Sequence, residues 1–115
     1  SLISNSHHKI SIFQSPKNLE NKMNASDVAF CGCGTTLFEL SYLGVPSIVS
    51  FQNELEHSFI EKIKHYGITI SSPLSSAWQR VKEQSVRQKI IEKQQTLFDG
   101  QGVNRILTAC NLLLK

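Results

Sequence analysis

Cysteine is scarce, at three residues in 115, and two of the three stand two apart at Cys31 and Cys33. An odd, closely spaced set is no disulfide framework and points to a reducing cytoplasm. A single short pair such as Cys31-x-Cys33 also falls short of the two paired motifs that structural zinc uses, so no metal site is expected. His7, His8, His57 and His65 do not supply the second pair. No apolar run approaches the ~20 residues that span a bilayer. No signal-peptide pattern opens the chain, and there is no repeat or low-complexity segment. A nucleophile elbow of the form G-x-S-x-G is missing, which argues against a serine hydrolase. A thiolate at Cys33 beside a helix N-terminus is chemically conceivable, but no base is placed for it.

Charge is also in short supply. Charged residues make up 18% of the chain and the net charge is only +3. Arg80, Lys82, Arg87, Lys89 and Lys93 form a basic run, but Glu83 and Glu92 interrupt it. That spacing suits a solvated helix face rather than a nucleic-acid surface, and no nucleic-acid partner is expected. The 40% hydrophobic content is enough for one globular domain, spanning residues 1–115. The chain opens on Ser1 and enters a strand within about ten residues, so it reads as a piece of a larger protein.

Apolar and polar residues alternate over 9–14, which predicts a strand. Ser15-Pro16 then predicts a short helix to about Met23, with serine as the cap and proline in the first turn. Residues 28–31 form an almost wholly apolar second strand, as expected when both sheet faces are covered. A helix is predicted over 36–43, stopped by Gly44 and Pro46. A third strand follows over 47–51. Asn53 and Glu56 make an N-cap pair for a helix running to Tyr66. Gly67 ends that helix before a fourth strand at 68–70. Helices over 73–84, 86–98 and 103–114 complete the chain, the last two separated by Asp99-Gly-Gln-Gly102. The predicted class is therefore α/β, a Rossmann-like parallel sheet of about four strands with flanking helices.

The segment Gly32-Cys-Gly34-Thr-Thr36 follows a buried strand and precedes a helix. In open α/β sheets, ligands occupy that crevice, and free N–H groups at the helix start attract anions. The loop is neither a G-x-G-x-x-G fingerprint, because Leu37 takes the third glycine's place, nor a Walker loop, because no lysine follows Gly34. Two readings are open: an anion cradle, or a tight turn that needs two glycines. Glu39 likewise has two readings. It completes a formal capping box with Thr36, or it accepts hydrogen bonds from a ribose diol beside a loop-bound phosphate.

The residues Gly34-Thr-Thr-Leu-Phe-Glu-Leu-Ser-Tyr-Leu-Gly-Val-Pro46 resemble the C-terminal, nucleotide-sugar-binding half of GT-B enzymes. The likeness covers roughly residues 9–115. It extends to the UDP-sugar hydrolases of pseudaminic acid biosynthesis and to the lipid II-forming N-acetylglucosaminyltransferases. Asp99-Gly-Gln-Gly-Val-Asn-Arg-Ile106 is similar to the D-G-x-G-x-x-R-I segment of the hydrolase branch. The resemblance implies a truncated GT-B C-terminal domain. Gly32, Gly34, Thr35 and Thr36 would then hold the diphosphate of a UDP-sugar and Glu39 its ribose, with Gln52, Asn53 and His57 facing the sugar. It implies no cofactor. Catalytic groups, including the hydrolase's histidine, would come from an N-terminal domain partner. The parent would be a UDP-sugar hydrolase of surface-glycan biosynthesis or a glycosyltransferase, and the fragment alone would be inactive.

Two departures stand out. Cys33 replaces the glycine usual in that loop, and Glu56-His57 replaces the Asn or Gln that reads the sugar. They keep open a third reading, a non-catalytic module that binds a protein partner. With its first strands missing, the sheet would expose edges that favour a homo-oligomer or a shifted strand order. Trp78, Leu97, Phe98, Ile106, Leu107 and Leu112 are expected in the core or at a domain contact, and Arg105 at the surface or in packing.

Overall fold

The structure, a computed structural model, describes residues 7–71 and 73–114. Its centre is a small parallel sheet between helices. Strand β1 (Ala29–Gly32) pairs with β2 (Ser47–Ser50), setting Ala29 opposite Ser47 and Gly32 opposite Ser50. Helix α2 (Thr35–Leu43) makes the crossover between them. Such a crossover is what parallel pairing requires.

Alternation along β2 decides which helices cover which face. Ile48 packs with Ile70, Ala77, Val81 and Ile90, which brings in α4 (Leu74–Val81) and α5 (Gln84–Leu97). Val49 points the other way, into Leu37 of α2 and Ile60 and Ile63 of α3 (Glu54–Ile63). A third cluster of Met23, Leu40 and Val45 seats α1 (Leu19–Asn24) against α2. Burying β2 on both faces explains why its Ser47 needs an internal partner. Its hydroxyl lies 3.1 Å from the Thr69 hydroxyl, which itself donates to the Ser47 carbonyl at 2.8 Å.

Most local signals are realised. Gly44 takes φ 73°, and the Val45 N–H donates back to the Leu40 carbonyl at 2.9 Å, closing α2 just before Pro46. Asn53 caps α3 by accepting from the Glu56 N–H at 2.9 Å. Glu56 reaches back to the Gln52 N–H at 2.8 Å, one residue earlier than in the standard box. Helix α3 ends at Ile63, and a 3-10 turn, Lys64–Tyr66, leads into Gly67 at φ 70°.

Four expectations are corrected. Residues 9–14 are not a strand: a strand is held by its ladder, and these residues pair with neither β1 nor any other described segment. The segment at 68–70 makes one bridge, Ile70 to Ile48, instead of a full strand, so two strands stand where about four were expected. Ser15 adopts φ 46°, which turns the chain and delays α1 to Leu19. Most of the residues expected in the core or at a domain contact are not in the core. Trp78, Leu97, Ile106, Leu107 and Leu112 are exposed, and helix α6 (Gly102–Leu113) buries no residue. Arg105 pairs with Asp99 at the surface, its Nη1 donating to Oδ1 at 3.0 Å. Among the described residues, no helix is long and apolar enough to cross a membrane.

Candidate functional site

Strand β1 ends at Gly32, and Gly34 is the N-cap of α2, so the loop is only two residues long. Gly34 has no side chain to satisfy the first turn. The Leu37 N–H donates to the Gly34 carbonyl at 3.1 Å, which leaves the amides of Thr35 and Thr36 as the helix's orphan donors. Both lie at the positive end of α2 and at the carboxyl edge of the sheet.

The two glycines do not fit the reading of a turn that needs them. Neither has φ in the left-handed range, which is confined to Gly44, Gly67 and Gly100 among the glycines. A Cβ built at Gly32 or Gly34 would meet nothing within 4 Å. Neither turn geometry nor internal packing therefore demands a glycine at these positions. What their lack of side chains does is leave open space beside the loop.

That space is a cleft of about 290 Å³ lined by Cys31, Gly32, Cys33, Gly34, Thr36, Gln52 and Glu56. A second cleft of about 480 Å³ adjoins it and is more apolar: Thr35, Phe38, Leu55 and Phe59 line it, and Gly34, Cys33 and Glu56 are shared by both. Phe38 and Phe59 meet edge to face with ring centres 6.0 Å apart.

Of the predicted site residues, Gly32, Gly34, Thr36 and Gln52 thus come together around one opening, with Thr35 next door. Glu39 does not line it. It sits one turn above Thr36 on the same face of α2, exposed and without a hydrogen-bond partner among the described residues. The capping reading of Glu39 fails for a simple reason. The helix begins at Thr35 with Gly34 as N-cap, so Glu39 lies too far along to reach the first turn. Asn53 is occupied in capping α3. His57 lies against Phe51 with ring centres 4.5 Å apart, and its Nε2 is 4.0 Å from a Glu61 oxygen.

Glu56 is the residue whose place was not foreseen. Its carboxylate enters both clefts while its Oε2 is held by the Gln52 N–H. The capping pattern Asn53-x-x-Glu56 did signal where this side chain would turn. Burial, and then the Glu56 carboxylate, push the Cys33 thiol up from its ordinary value. Burial and then Cys33 do the same to Cys31. Both surroundings disfavour the thiolate that a cysteine nucleophile would need. Among the described residues, no three His, Cys, Asp or Glu side chains gather where they could hold a metal ion.

Over 71 residues, 61% of this chain, the sequence is 31% identical to an uncharacterized protein of Methanocaldococcus jannaschii. The chain spans about 15% of that relative's length. No protein family model matches the chain, and no solved structure matches it.

Proposed function

We propose that this chain is the nucleotide-sugar-binding half of a GT-B-type enzyme, with the glycine loop as its diphosphate cradle. The observation that carries the reading is the pair Gly32 and Gly34, which neither fold nor packing requires and which leave the Thr35 and Thr36 amides approachable. Glu39, free of any capping duty, is available to a ribose one helical turn away. The apolar cleft beside Phe38 and Phe59 offers room for the remainder of a ligand. The parent enzyme would be a UDP-sugar hydrolase of surface-glycan biosynthesis, working in the cytoplasm. Its catalytic groups would lie on an N-terminal domain. The same half would serve a glycosyltransferase equally well. In the intact protein, further chain would pair with the open edge of β1, and residues 9–14 and 68–70 would join a Rossmann-like sheet of four or more strands.

Glu56 favours a second reading. A fixed carboxylate in the cleft opposes a diphosphate, and among the described residues no cation lines that cleft, although Lys62 lines the adjoining one. A module that has kept the fold but binds a protein partner would tolerate such a residue.

Titration of the chain with UDP, followed by amide NMR shifts, separates the two. Binding should shift the amides of Gly34, Thr35 and Thr36, and Glu39→Ala should weaken it by ~1–3 kcal/mol through lost charged hydrogen bonds. Gly32→Ala should do the reverse to fold and ligand. It should raise stability by about 0.4–1 kcal/mol by restricting the unfolded chain, yet weaken UDP about tenfold as the new methyl fills the cleft. If no shift appears at the loop at millimolar UDP, the partner-binding reading replaces the first.

A further inference from the structure

The basic run does not form a uniform solvated face. Arg80 of α4 and Lys89 and Lys93 of α5 converge on one groove, and Lys64, from the turn after α3, joins them. The groove holds about 490 Å³ and lies between α5 and the outer edge of the chain at residues 67–71. It shares no lining residue with the glycine-loop clefts. Among the described residues, no carboxylate lines it. Glu61 is occupied with Lys64, and Glu92, three residues along α5 from Lys89, accepts from Gln88 at 3.3 Å and does not line the groove. Arg87, the other strong cation nearby, is spent on the carbonyls of Val81 and Lys82 at 2.8 and 2.7 Å, closing the end of α4. Arg80, Lys89 and Lys93 have no acidic partner among the described residues.

Backbone geometry adds a donor. The Ile70 N–H and carbonyl both bond β2, at 3.0 and 2.9 Å. Because the C=O and N–H of a trans peptide point opposite ways, the Ser71 N–H faces the outer edge, where Thr69 and Ser71 line the groove. The position of Lys93 is set by the fold: a Cβ at Gly67 would lie 3.4 Å from its Cγ, so its stem runs close along the turn. Ile90 and Val86 form an apolar floor.

We propose that this groove is a binding site for a small ligand carrying two or more phosphate groups, separate from the glycine loop. Three cations without a counter-carboxylate, Arg80, Lys89 and Lys93, converging beside an outward-facing amide, are the complement of a compact polyanion. The volume suits a ligand of pyrophosphate to nucleotide size better than a lone phosphate.

The test is titration of the full chain with inorganic pyrophosphate, read by amide shifts and calorimetry. Orthophosphate and a single-stranded oligothymidine serve as comparison arms. Pyrophosphate should shift the amides of residues 67–71 and bind more tightly than orthophosphate. The double substitution Lys89→Ala with Lys93→Ala should weaken it by about tenfold or more, with melting temperature unchanged because both side chains are exposed. Glu39→Ala should leave it untouched. Shifts confined to residues 32–36 would overturn the proposal and assign pyrophosphate to the glycine loop. Capture of oligothymidine through the same lysines with no response to pyrophosphate would also overturn it, making this a nucleic-acid face.

Discussion

At the carboxyl end of β1, orphan amides and open space beside two glycines surround a cleft whose one charged side chain is the Glu56 carboxylate. Along the edge at residues 67–71, Arg80, Lys89, Lys93 and the Glu61-paired Lys64 line a groove that has no carboxylate among its described lining residues. Both openings present main-chain amides at a sheet margin, and both are of a size to admit a ligand. They differ in how attraction for an anion is supplied. In the first it comes from backbone dipoles, a short-range effect worth up to ~1 kcal/mol that one misplaced carboxylate can cancel. In the second it comes from full side-chain charges, which act over a Debye length of ~8 Å and fade with salt. A site built on backbone demands close contact and selects shape, whereas a site built on lysine and arginine selects charge.

The comparison can be broken most forcefully at Gln94, which ties the two regions together. This side chain is fully buried on α5, and its Nε2 donates to the carbonyls of Val45 and Ile68, both at 3.0 Å. It thereby clamps α5, the wall of the basic groove, to the turn before β2 and to the edge segment. Gln94→Ala would leave two buried carbonyls unpaired and a void, at a cost of about 3 kcal/mol. Chemical denaturation should show that loss, and Gln94→Met, which keeps the volume, should recover only part of it. Full recovery by Met would mean that the hydrogen bonds contribute little.

A smaller effect would sharpen the contrast. Glu56→Gln removes the cleft's charge while keeping an acceptor for the Gln52 N–H. UDP affinity at the glycine loop should then rise by about 1 kcal/mol, roughly fivefold, while pyrophosphate binding in the basic groove stays constant. Equal changes at both sites, followed by amide shifts, would show that the two openings are coupled.

The weakest effect belongs to a region outside both clefts. The Arg105 guanidinium, and next the Gln101 N–H, hold the Asp99 carboxyl down to about 2. A depressed carboxylate stabilises above the unfolded value of ~3.9 and loses that contribution as pH falls through about 2. The pair is fully exposed, so the change is small. Helical circular dichroism between pH 5 and pH 2 should fall slightly more in the native chain than in Arg105→Ala, and no difference would show that the pair contributes nothing.

Residues 27–56 were legible almost in full. Their signals are short-range: an apolar tetrapeptide, two glycines, Gly44 before Pro46, and Asn53 three residues before Glu56. Each acts within one turn of the chain and needs nothing distant. Residues 9–14 carry an equally regular alternation but form no strand, because a strand's hydrogen bonds must be supplied by another segment. The capping box at Thr36 and Glu39 matched a pattern, yet α2 started one residue earlier and left Glu39 free. Nothing in the composition of α5 distinguished Gln94 from Gln84, Gln88 or Gln95, since burial is decided by what packs above a position.

The class of the fold and the place of the glycine loop were thus written in contacts between near neighbours, where periodicity, capping and turn chemistry act directly. The charge of each cleft was decided only by folding. Arg80, Lys89 and Lys93 belong to a run interrupted by acids that reads as a solvated face, and Lys64 stands far from it in sequence; the four line one groove only when α4 and α5 pack against the Ile70 edge. Packing gathers these exposed cations around one groove, and because Coulomb energy depends on distance in space and not along the chain, that gathering has no signature in the order of residues.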